Sequence, residues 1–374
     1  MKPPPPFARF ALAVTTLAGL ALLTACRSGI IGRWSGADRA PFEVSVETTL
    51  PTYQTNRATL AVDGDRETYF RSRRAPDEKD DFTLRFSRPL NLNRVSVETG
   101  APGGRFRLTD AVVEISADGR EFHAVAAFAA GGAGTNFTRQ AVRAVRIHPT
   151  KRQAGPVAIR EIFFAPAPQP SRVAQTLRIG VDTSEVPELA DWGKRAQQLC
   201  LEWYPQLVAL LPSENFEPPL ATRLLFLKDM RGVADTSVNG IRIGAPYLKG
   251  HTNDWGMVIH ELTHVVQAYS GTKQGYQRPP GWLVEGIADD IRLFHFEPDT
   301  PRPRINPDRA KYTDAYKTTA GFLDWIERHY DHELVKKLNA ACREGVFEEG
   351  LWAKYTGKTV DALWKEFTDE LRKK

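Results

Sequence analysis

Residues 259–266 read IHELTHVV, and this stretch constrains the chain more than any other. On an α-helix, positions i and i+4 lie on the same face, so His260 and His264 can present two imidazoles to one metal ion. In the pattern H-E-x-x-H, two histidines hold Zn²⁺ and the glutamate, here Glu261, is the general base that activates water. The stretch therefore predicts a mostly buried helix with a metal site, capped by either Asn253 or Asp254.

A second predicted helix follows at a distance that allows it to complete the site. Residues 281–290 read GWLVEGIADD after two prolines, and Glu285 and Asp289 fall four positions apart on one helix face. Glu285 lies 21 positions after His264 (285 − 264), which leaves room for a loop and an antiparallel helix. A His₂Glu ligand set leaves a fourth coordination position open for water. Asp289 is placed to accept the free N–H of a ligating histidine, His260 by preference, and so to set its tautomer.

The wording of these two motifs resembles a known family. An H-E-x-x-H helix followed by E-x-x-x-D is similar to the gluzincin metallopeptidases, the thermolysin-like clan. The sequences VIHELTHVVQ and GWLVEGIADDIR resemble the basic secretory protein family, zinc peptidases of plants and bacteria, with similarity over about residues 177–367. The resemblance implies that His260, His264 and Glu285 are the ligands of one Zn²⁺ ion and that Glu261 is the general base.

A tyrosine helix belongs to the same resemblance. Residues 315–325 read AYKTTAGFLDW and are similar to a tyrosine-containing helix of that family. Hydrolysis of an amide develops an oxyanion, which needs a hydrogen-bond donor. Tyr316 is the first candidate for this donor, and Tyr312 and Tyr247 are the next candidates. The alternative role for such a side chain is packing between helices. The predicted function is a zinc-dependent metallopeptidase, a hydrolase acting on a peptide or protein substrate.

The N-terminus has the features of an export signal. Two basic residues, Lys2 and Arg9, precede an uncharged apolar segment, residues 10–23, which is too short to cross about 30 Å of hydrocarbon. The Leu-Thr-Ala-Cys at 23–26 resembles a bacterial lipobox, which implies removal of residues 1–25 and lipidation of Cys26. A secretory signal with a chance cysteine is the alternative. We expect an exported, membrane-anchored lipoprotein, in the outer membrane on its periplasmic or cell-surface face.

Charge and cysteine content limit the remaining possibilities. The formal net charge is +5, and removal of residues 1–25, with two basic residues and no acid, lowers it to +3 (5 − 2). The basic residues are dispersed and no basic, aromatic-interleaved motif occurs, so we expect no nucleic-acid partner. After the lipidated cysteine, only Cys200 and Cys342 remain. They form either one disulfide in an exported protein or two free buried thiols.

Residues 41–165 differ in character from the rest of the chain. Short runs of alternating apolar residues between Gly, Pro, Asp and Asn predict an antiparallel β-sandwich. The segments LAVDGDRETYF, ISADG and AVRI together resemble the discoidin or coagulation-factor C-type domain, a galactose-binding-like jelly roll that many secreted enzymes use to bind carbohydrate. The resemblance implies a glycan partner, with a structural spacer as the alternative. Asp63 and Asp65 are candidates for the Ca²⁺ site of some relatives, or they form an Asx turn.

The predicted architecture is multidomain. A lipoprotein signal peptide occupies residues 1–25, and the discoidin-like sandwich occupies residues 41–165. A Pro-rich linker, residues 166–175, leads to a gluzincin-like metallopeptidase domain at 176–374, which we expect to be α+β and mostly helical. Residues 238–243 predict a hairpin or an edge strand that leads to the metal helix. By analogy with the gluzincins, we expect an edge strand within residues 238–247 to pair with the substrate backbone.

Two other functions fit parts of the sequence. An inactive carbohydrate-binding or adhesion lipoprotein would keep the metal site without turnover. The complete set of His260, Glu261, His264, Glu285 and Asp289 argues against that alternative. A zinc hydrolase of a non-peptide amide or ester would use the same water-activating groups, so the sequence does not separate it from a peptidase.

Overall fold

The computed structural model describes residues 40–373 apart from 270 and 272–274. The predicted signal peptide and the lipidation residue Cys26 lie outside the described residues. Among the described helices, none is both long and apolar enough to cross a membrane.

Buried apolar side chains form two separate cores. One core draws on residues 42–162 and the other on residues 179–367. Two cores indicate two domains, which we call the sandwich domain and the helical domain. Cys200 and Cys342 both lie in the core of the helical domain as separate buried thiols, so the disulfide alternative is not formed.

The sandwich domain consists of eight strands in one hydrogen-bonded network, in the order β2-β7-β3-β6-β4-β5, with β1 between β3 and β8. Its strands are β1 (Glu43–Thr48), β2 (Phe70–Arg71), β3 (Phe82–Thr99), β4 (Ala111–Ser116), β5 (His123–Ala127), β6 (Gly132–Pro149), β7 (Ala158–Ala165) and β8 (Arg172–Gln175). The paired strands are antiparallel except for β1 and β8, which run parallel. The predicted antiparallel β-sandwich is confirmed.

Two long strands connect the layers of this sandwich. The first half of β3 pairs with β1 and its second half pairs with β7, while β6 follows β3 along both halves. The pairing of β3 with β6 shifts register between Arg85 and Leu90, where the strand leaves one layer for the other. The expected linker, residues 166–175, is shorter than predicted. Its last four residues form β8, because the chain turns back along the edge of β1 and pairs with it.

The helical domain has a four-stranded sheet in the order β11-β12-β10-β9. Its strands are β9 (Arg178–Asp182), β10 (Ala221–Leu227), β11 (Ala234–Ser237) and β12 (Gly240–Gly244). Its α-helices are α1 (Ala190–Leu210), α2 (Ala245–Leu248), α3 (Trp255–Gln267), α4 (Gly281–Asp290), α5 (Tyr316–His329), α6 (Leu334–Glu344), α7 (Gly350–Thr356) and α8 (Val360–Leu371). The expected α+β, mostly helical architecture is confirmed.

Helices α3, α4 and α5 position the predicted site. Helix α3 begins at Asp254, whose Oδ1 accepts a hydrogen bond from the backbone N–H of Met257 at 3.1 Å. Helix α4 begins after Pro280 and continues into a π-helix at Ile291–Phe296. A Cβ on Gly286 of α4 would lie 2.2 Å from a side-chain carbon of Thr319 on α5. The glycine therefore allows the close approach of α4 and α5.

A buried ionic network joins the two domains. The guanidinium of Arg223 on β10 donates to both carboxylate oxygens of Asp77 in the sandwich domain, at 3.0 and 3.1 Å. Beside it, Arg74 donates to both oxygens of Asp80 at 2.6 Å, and this second pair is almost fully buried. Burial raises the pKa of Asp77, but the hydrogen bond and charge of Arg223 outweigh it and lower the pKa. The network holds loop 74–81 of the sandwich against the sheet of the helical domain.

Replacement of Arg223 by Met is expected to destabilise the protein by about 3 kcal/mol, because it removes the guanidinium that pairs with the largely buried carboxylate of Asp77. The measurement is the apparent free energy of unfolding in urea. Arg242→Met is the matched control, since Arg242 pairs with Asp235 at 2.6 Å but both side chains are 41–47% exposed. The control should lose about 0.2–1 kcal/mol. Equal losses in the two variants would contradict a structural role for the buried network.

Candidate metal centre

Three predicted ligand side chains converge between α3 and α4. The Nε2 atom of His260 lies 3.0 Å from Oε2 of Glu285 and 3.1 Å from Nε2 of His264. The Nε2 atom of His264 lies 3.4 Å from the same Glu285 oxygen. Within the described part of the chain, this group could hold a metal ion, with ligand atoms within 4.8 Å of one another.

The spacing of these three atoms fits a tetrahedral ion. Metal–ligand bonds of about 2.0–2.1 Å at tetrahedral angles separate neighbouring ligand atoms by about 3.3–3.4 Å. The observed separations of 3.0, 3.1 and 3.4 Å lie close to that value. Two imidazole nitrogens and one carboxylate oxygen form the donor set that Zn²⁺ takes in catalytic sites.

Each histidine has an oxygen acceptor on its other ring nitrogen. Nδ1 of His260 lies 2.7 Å from Oδ1 of Asp289, the partner that the sequence indicated. Nδ1 of His264 lies 2.7 Å from Oε1 of Gln267, a partner that the sequence analysis missed. A proton on Nδ1 donates to these oxygens and leaves the lone pair of Nε2 free for a metal. Gln267 follows His264 by three positions and so lies on the same helix face. This spacing is the sequence feature that could have identified Gln267 as a partner of His264.

Gln267 also ties the two helices together. Its Nε2 donates to the backbone oxygen of Val284 at 3.0 Å, one residue before Glu285. The side chain is 1% exposed, so both of its hydrogen bonds are made away from water. The same amide therefore orients His264 and fixes the position of α4 along α3. It thereby also fixes the position of Glu285.

The charges of the site couple the protonation states of its members. Burial lowers the pKa of His260, but hydrogen bonds to Asp289 and Glu285 outweigh it and raise the pKa to about 9. Burial raises the pKa of Glu285, but hydrogen bonds from His260 and His264 outweigh it and lower the pKa to about 2. The carboxylates of Asp289 and Glu285 therefore stabilise a positive charge between the two imidazoles.

Glu261 lies beside the three ligands and belongs to the same cleft. It is 6% exposed, and its Oε2 accepts a hydrogen bond from Oγ1 of Thr236 at 2.7 Å. Burial is the main cause that raises the pKa of Glu261. Thr236 is a residue of β11 that the sequence analysis did not single out, because no local pattern links it to the helix.

The three candidate tyrosines have different surroundings. Tyr316 is 53% exposed, lines the cleft, and its ring centre lies 6.0 Å from that of His260. The hydroxyl of Tyr247 donates to Asp254 at 2.6 Å, and Tyr312 packs against Trp282. The charge of Glu285, followed by burial, raises the pKa of Tyr316. Of the three, Tyr316 faces the cleft without another hydrogen-bond partner in the described structure.

The backbone at the start of α5 is strained. Ala315 and Tyr316 have φ values of 64° and 47°, although neither is a glycine. Side chains with a Cβ seldom adopt such values, and two in succession require support from the surrounding structure. The hydroxyl of Thr319 supports this turn by donating to the backbone oxygen of Tyr312 at 2.6 Å. The strained turn places the ring of Tyr316 at the metal centre.

The cleft has a volume of about 840 Å³ and runs past the metal centre along β11. The expected edge strand at 238–247 is wrong in position. Residues 240–244 form β12, which is paired on one side with β10 and on the other with β11. The outer strand is β11. A tight hairpin between Ser237 and Gly240 pairs β11 with the edge of β12 that does not face β10.

The candidate calcium residues lie in a turn of the sandwich domain. Oδ1 of Asp63 accepts from the N–H of Asp65, and Oδ1 of Asp65 accepts from the N–H of Glu67, both at 2.9 Å. These are the contacts of Asx turns. The sequence analysis missed Glu161, which accepts from the N–H of Gly64 at 3.0 Å and is 2% exposed. Burial raises the pKa of Glu161 to about 7. Calcium binding at this turn stays a prediction.

Comparison with known families agrees with this organisation. Residues 195–367 match the model of a family described as peptidase of plants and bacteria, BSP. Residues 43–162 match the model of the F5/8 type C domain. The chain thus carries an F5/8 type C domain followed by a domain of a peptidase family, and both resemblances drawn from the motifs are confirmed. No curated protein matches the chain.

Several solved structures are similar to part of the chain. The module CBM32-1 from a family 31 glycoside hydrolase of Clostridium perfringens is 20% identical, with a TM-score of 0.28, over 32% of this chain and 92% of that one. CpGH89CBM32-5 of the same organism, solved with GalNAc-beta-1,3-galactose, is 14% identical, with a TM-score of 0.29, over 32% and 94%. Chitosan-binding module 1 of a chitosanase/glucanase from Paenibacillus sp. IK-5 is 18% identical, with a TM-score of 0.27, over 32% and 93%.

Asp289→Asn is expected to lower the affinity for Zn²⁺ by about 10–100-fold, because it removes the charge that orients His260. Competition with a chromophoric chelator measures this affinity. Asp290→Asn is the matched control. Asp290 is equally buried on the same helix but makes no hydrogen bond to either histidine among the described contacts. Equal affinities of the two variants would contradict the orienting role of Asp289.

Proposed function

We propose that this protein is an exported, lipid-anchored zinc metallopeptidase. The observation that carries the proposal is the convergence of His260, His264 and Glu285 beside the buried carboxylate of Glu261. This constellation lies in a cleft bordered by a strand edge, within a domain of a peptidase family. Metal-dependent hydrolysis of a peptide uses each of these parts: a metal site, a base and a means of holding an extended chain.

His260, His264 and Glu285 would hold the ion, with Asp289 and Gln267 orienting the two imidazoles. When bound, Zn²⁺ supplies Lewis acidity and lowers the pKa of water at the site. Asp289 and Glu285 stabilise a proton on His260 and so raise its pKa. An ion held by these residues would compete with that proton for His260, so metal loading should release protons at neutral pH.

Glu261 acts as the general base. Its carboxylate accepts a proton from the attacking water while the water oxygen forms a bond to the scissile carbonyl carbon. It then donates this proton to the nitrogen of the leaving amine as the carbon–nitrogen bond breaks. Burial raises the pKa of Glu261, which makes it a stronger base than an exposed glutamate. The hydrogen bond from Thr236 to Oε2 holds the carboxylate in place during both transfers.

Tyr316 stabilises the negative charge that develops on the substrate carbonyl oxygen. Its hydroxyl is a donor at the edge of the metal centre, and the strained turn at 315–316 fixes its direction toward the cleft. The backbone of β11 would hold the substrate by adding it as a further strand, since residues 234–237 form the outer strand of the sheet. Both elements line the cleft that contains the three candidate ligands.

The soluble form lacking residues 1–26 should contain about one zinc ion per chain and cleave members of an unbiased peptide library. Glu261→Gln should keep the zinc and lose cleavage, because the amide cannot accept the proton of water. Metal analysis by mass spectrometry and product sequencing measure both properties on the same samples. Tyr316→Phe, in the same assay, should lower kcat by about 10²–10³-fold and leave KM little changed.

The outcomes separate the alternatives. Zinc in both proteins without cleavage of any peptide would overturn the peptidase assignment and favour a non-peptide amide or ester, or a binding role. Absence of zinc from the wild-type protein would overturn the metal site itself. Cleavage by the Glu261→Gln variant would assign the base to another residue.

Export and anchoring rest on the N-terminal sequence, with cleavage before Cys26 and attachment of lipid to its thiol. A protein held at a membrane surface in this way gains from a second domain that binds glycans, and the F5/8 type C domain is the candidate for that role. Intact-mass analysis of the protein from its native membrane tests the anchor. A terminal residue other than a lipid-modified Cys26 would overturn it.

A further inference from the structure

The sandwich domain forms part of the cleft that contains the metal centre. Pro51 and Arg73 of this domain line the same cavity as His260, Glu261 and Glu285 of the helical domain. The cleft is therefore bounded by both domains. A substrate that extends along β11 away from the metal reaches the surface of the sandwich.

Arg73 is an uncompensated cation in this cleft. Its side chain is exposed, and among the described residues its guanidinium makes no hydrogen bond or ion pair. Two acidic residues of the cleft outside the metal centre are already neutralised: Asp235 pairs with Arg242 at 2.6 Å, and Asp254 pairs with Arg292 at 2.7 Å. The end of the cleft next to the sandwich therefore carries a net positive charge that is available to a ligand.

The backbone of Arg73 is held in place by the interdomain network. Its N–H donates to the backbone oxygen of Pro51 at 2.7 Å. On either side, Ser72 donates to the backbone oxygen of Arg74 at 2.7 Å, and Arg74 forms the buried pair with Asp80. The adjacent pair of Asp77 with Arg223 attaches this loop to β10, which is hydrogen-bonded through β12 to β11. The backbone that carries the guanidinium is thus held beside the cleft, while the side chain itself is free to reach a ligand.

We propose that Arg73 is a specificity-determining residue that binds a carboxylate of the substrate. The inference rests on the proposed peptidase function and names its substrate class: chains with a carboxylate at one set position relative to the scissile bond. A guanidinium binds a carboxylate through two parallel N–H···O hydrogen bonds. The planar guanidinium of Arg73 presents these donors without any change in the loop that carries it. The sandwich domain is then part of the substrate site as well as a candidate glycan-binding module.

The carboxylate has two chemical sources in a peptide, an acidic side chain or the free C-terminus. Matched peptides distinguish them: each cleaved sequence is compared with Glu or Gln at every position, and with a free or amidated C-terminus. The wild-type protein should favour the carboxylate form at one position by about tenfold in kcat/KM. Arg73→Gln should reduce that ratio to about one, and Arg73→Glu should invert it, with the change carried by KM. Arg120→Gln, which removes an exposed arginine of the same domain outside the cleft, should preserve the wild-type ratio.

An unchanged ratio in Arg73→Gln, or a wild-type protein indifferent to carboxylates, would overturn the inference. Its failure is separable from that of the proposed function, because binding is measured without turnover. Fluorescence anisotropy of the same peptides with zinc-loaded Glu261→Gln, with and without Arg73→Gln, reports the preference even if no peptide is cleaved. Affinity that depends on both the carboxylate and Arg73 supports the assignment. Affinity that is independent of Arg73, or no binding of any peptide, contradicts it.

Discussion

The hydrogen bond between His260 and Asp289 is the contact on which the rest of the site depends. It joins α3 to α4 with a charge-assisted bond of 2.7 Å in a buried setting. Once Asp289 is opposite His260, the four-residue repeat of α4 brings Glu285 one turn away, facing Nε2 of the same ring. Gln267 makes the corresponding connection for His264 and reaches the backbone of α4. Three ligand atoms are therefore positioned by two helices that hold each other in register.

The apolar environment makes this arrangement sensitive to charge. His260 and Glu261 are less than a tenth exposed, so their charges are poorly screened by water. The opposite shifts in the pKa values of His260 and Glu285 express this mutual dependence. A site of this kind is stable only if positive charge at its centre, from a proton or a metal ion, balances the carboxylates around it. The same burial that raises the pKa of Glu261 thus requires compensation nearby.

The relation between the domains follows from a different buried interaction. The Arg74–Asp80 and Arg223–Asp77 pairs place four charges at the boundary between two cores. Ion pairs with this degree of burial tolerate little displacement, because separation leaves charges without partners where water has little access. The sandwich is consequently held against the sheet, which explains why Arg73 and Pro51 can form part of a cleft built mainly by the helical domain. The F5/8 type C domain is in this respect more than an appended module.

The sequence by itself determined the two helices of the candidate metal centre, the candidate ligands, the candidate base, Asp289 as the hydrogen-bond partner of His260, and the β-sandwich that precedes them. These features depend on short periodic patterns, because spacing along the chain determines which side chains lie on the same face of a helix or strand. Only the tertiary structure decided the contacts of Thr236 with Glu261 and of Gln267 with His264, the place of Arg73 in the cleft, the position of the outer strand, and the pairing of β8 with β1. Those features depend on contacts between segments distant in the chain, such as Thr236 with Glu261, and no local periodicity encodes them. The tertiary structure also decided that Cys200 and Cys342 are two unpaired thiols, because a disulfide forms only where the fold brings two cysteines together.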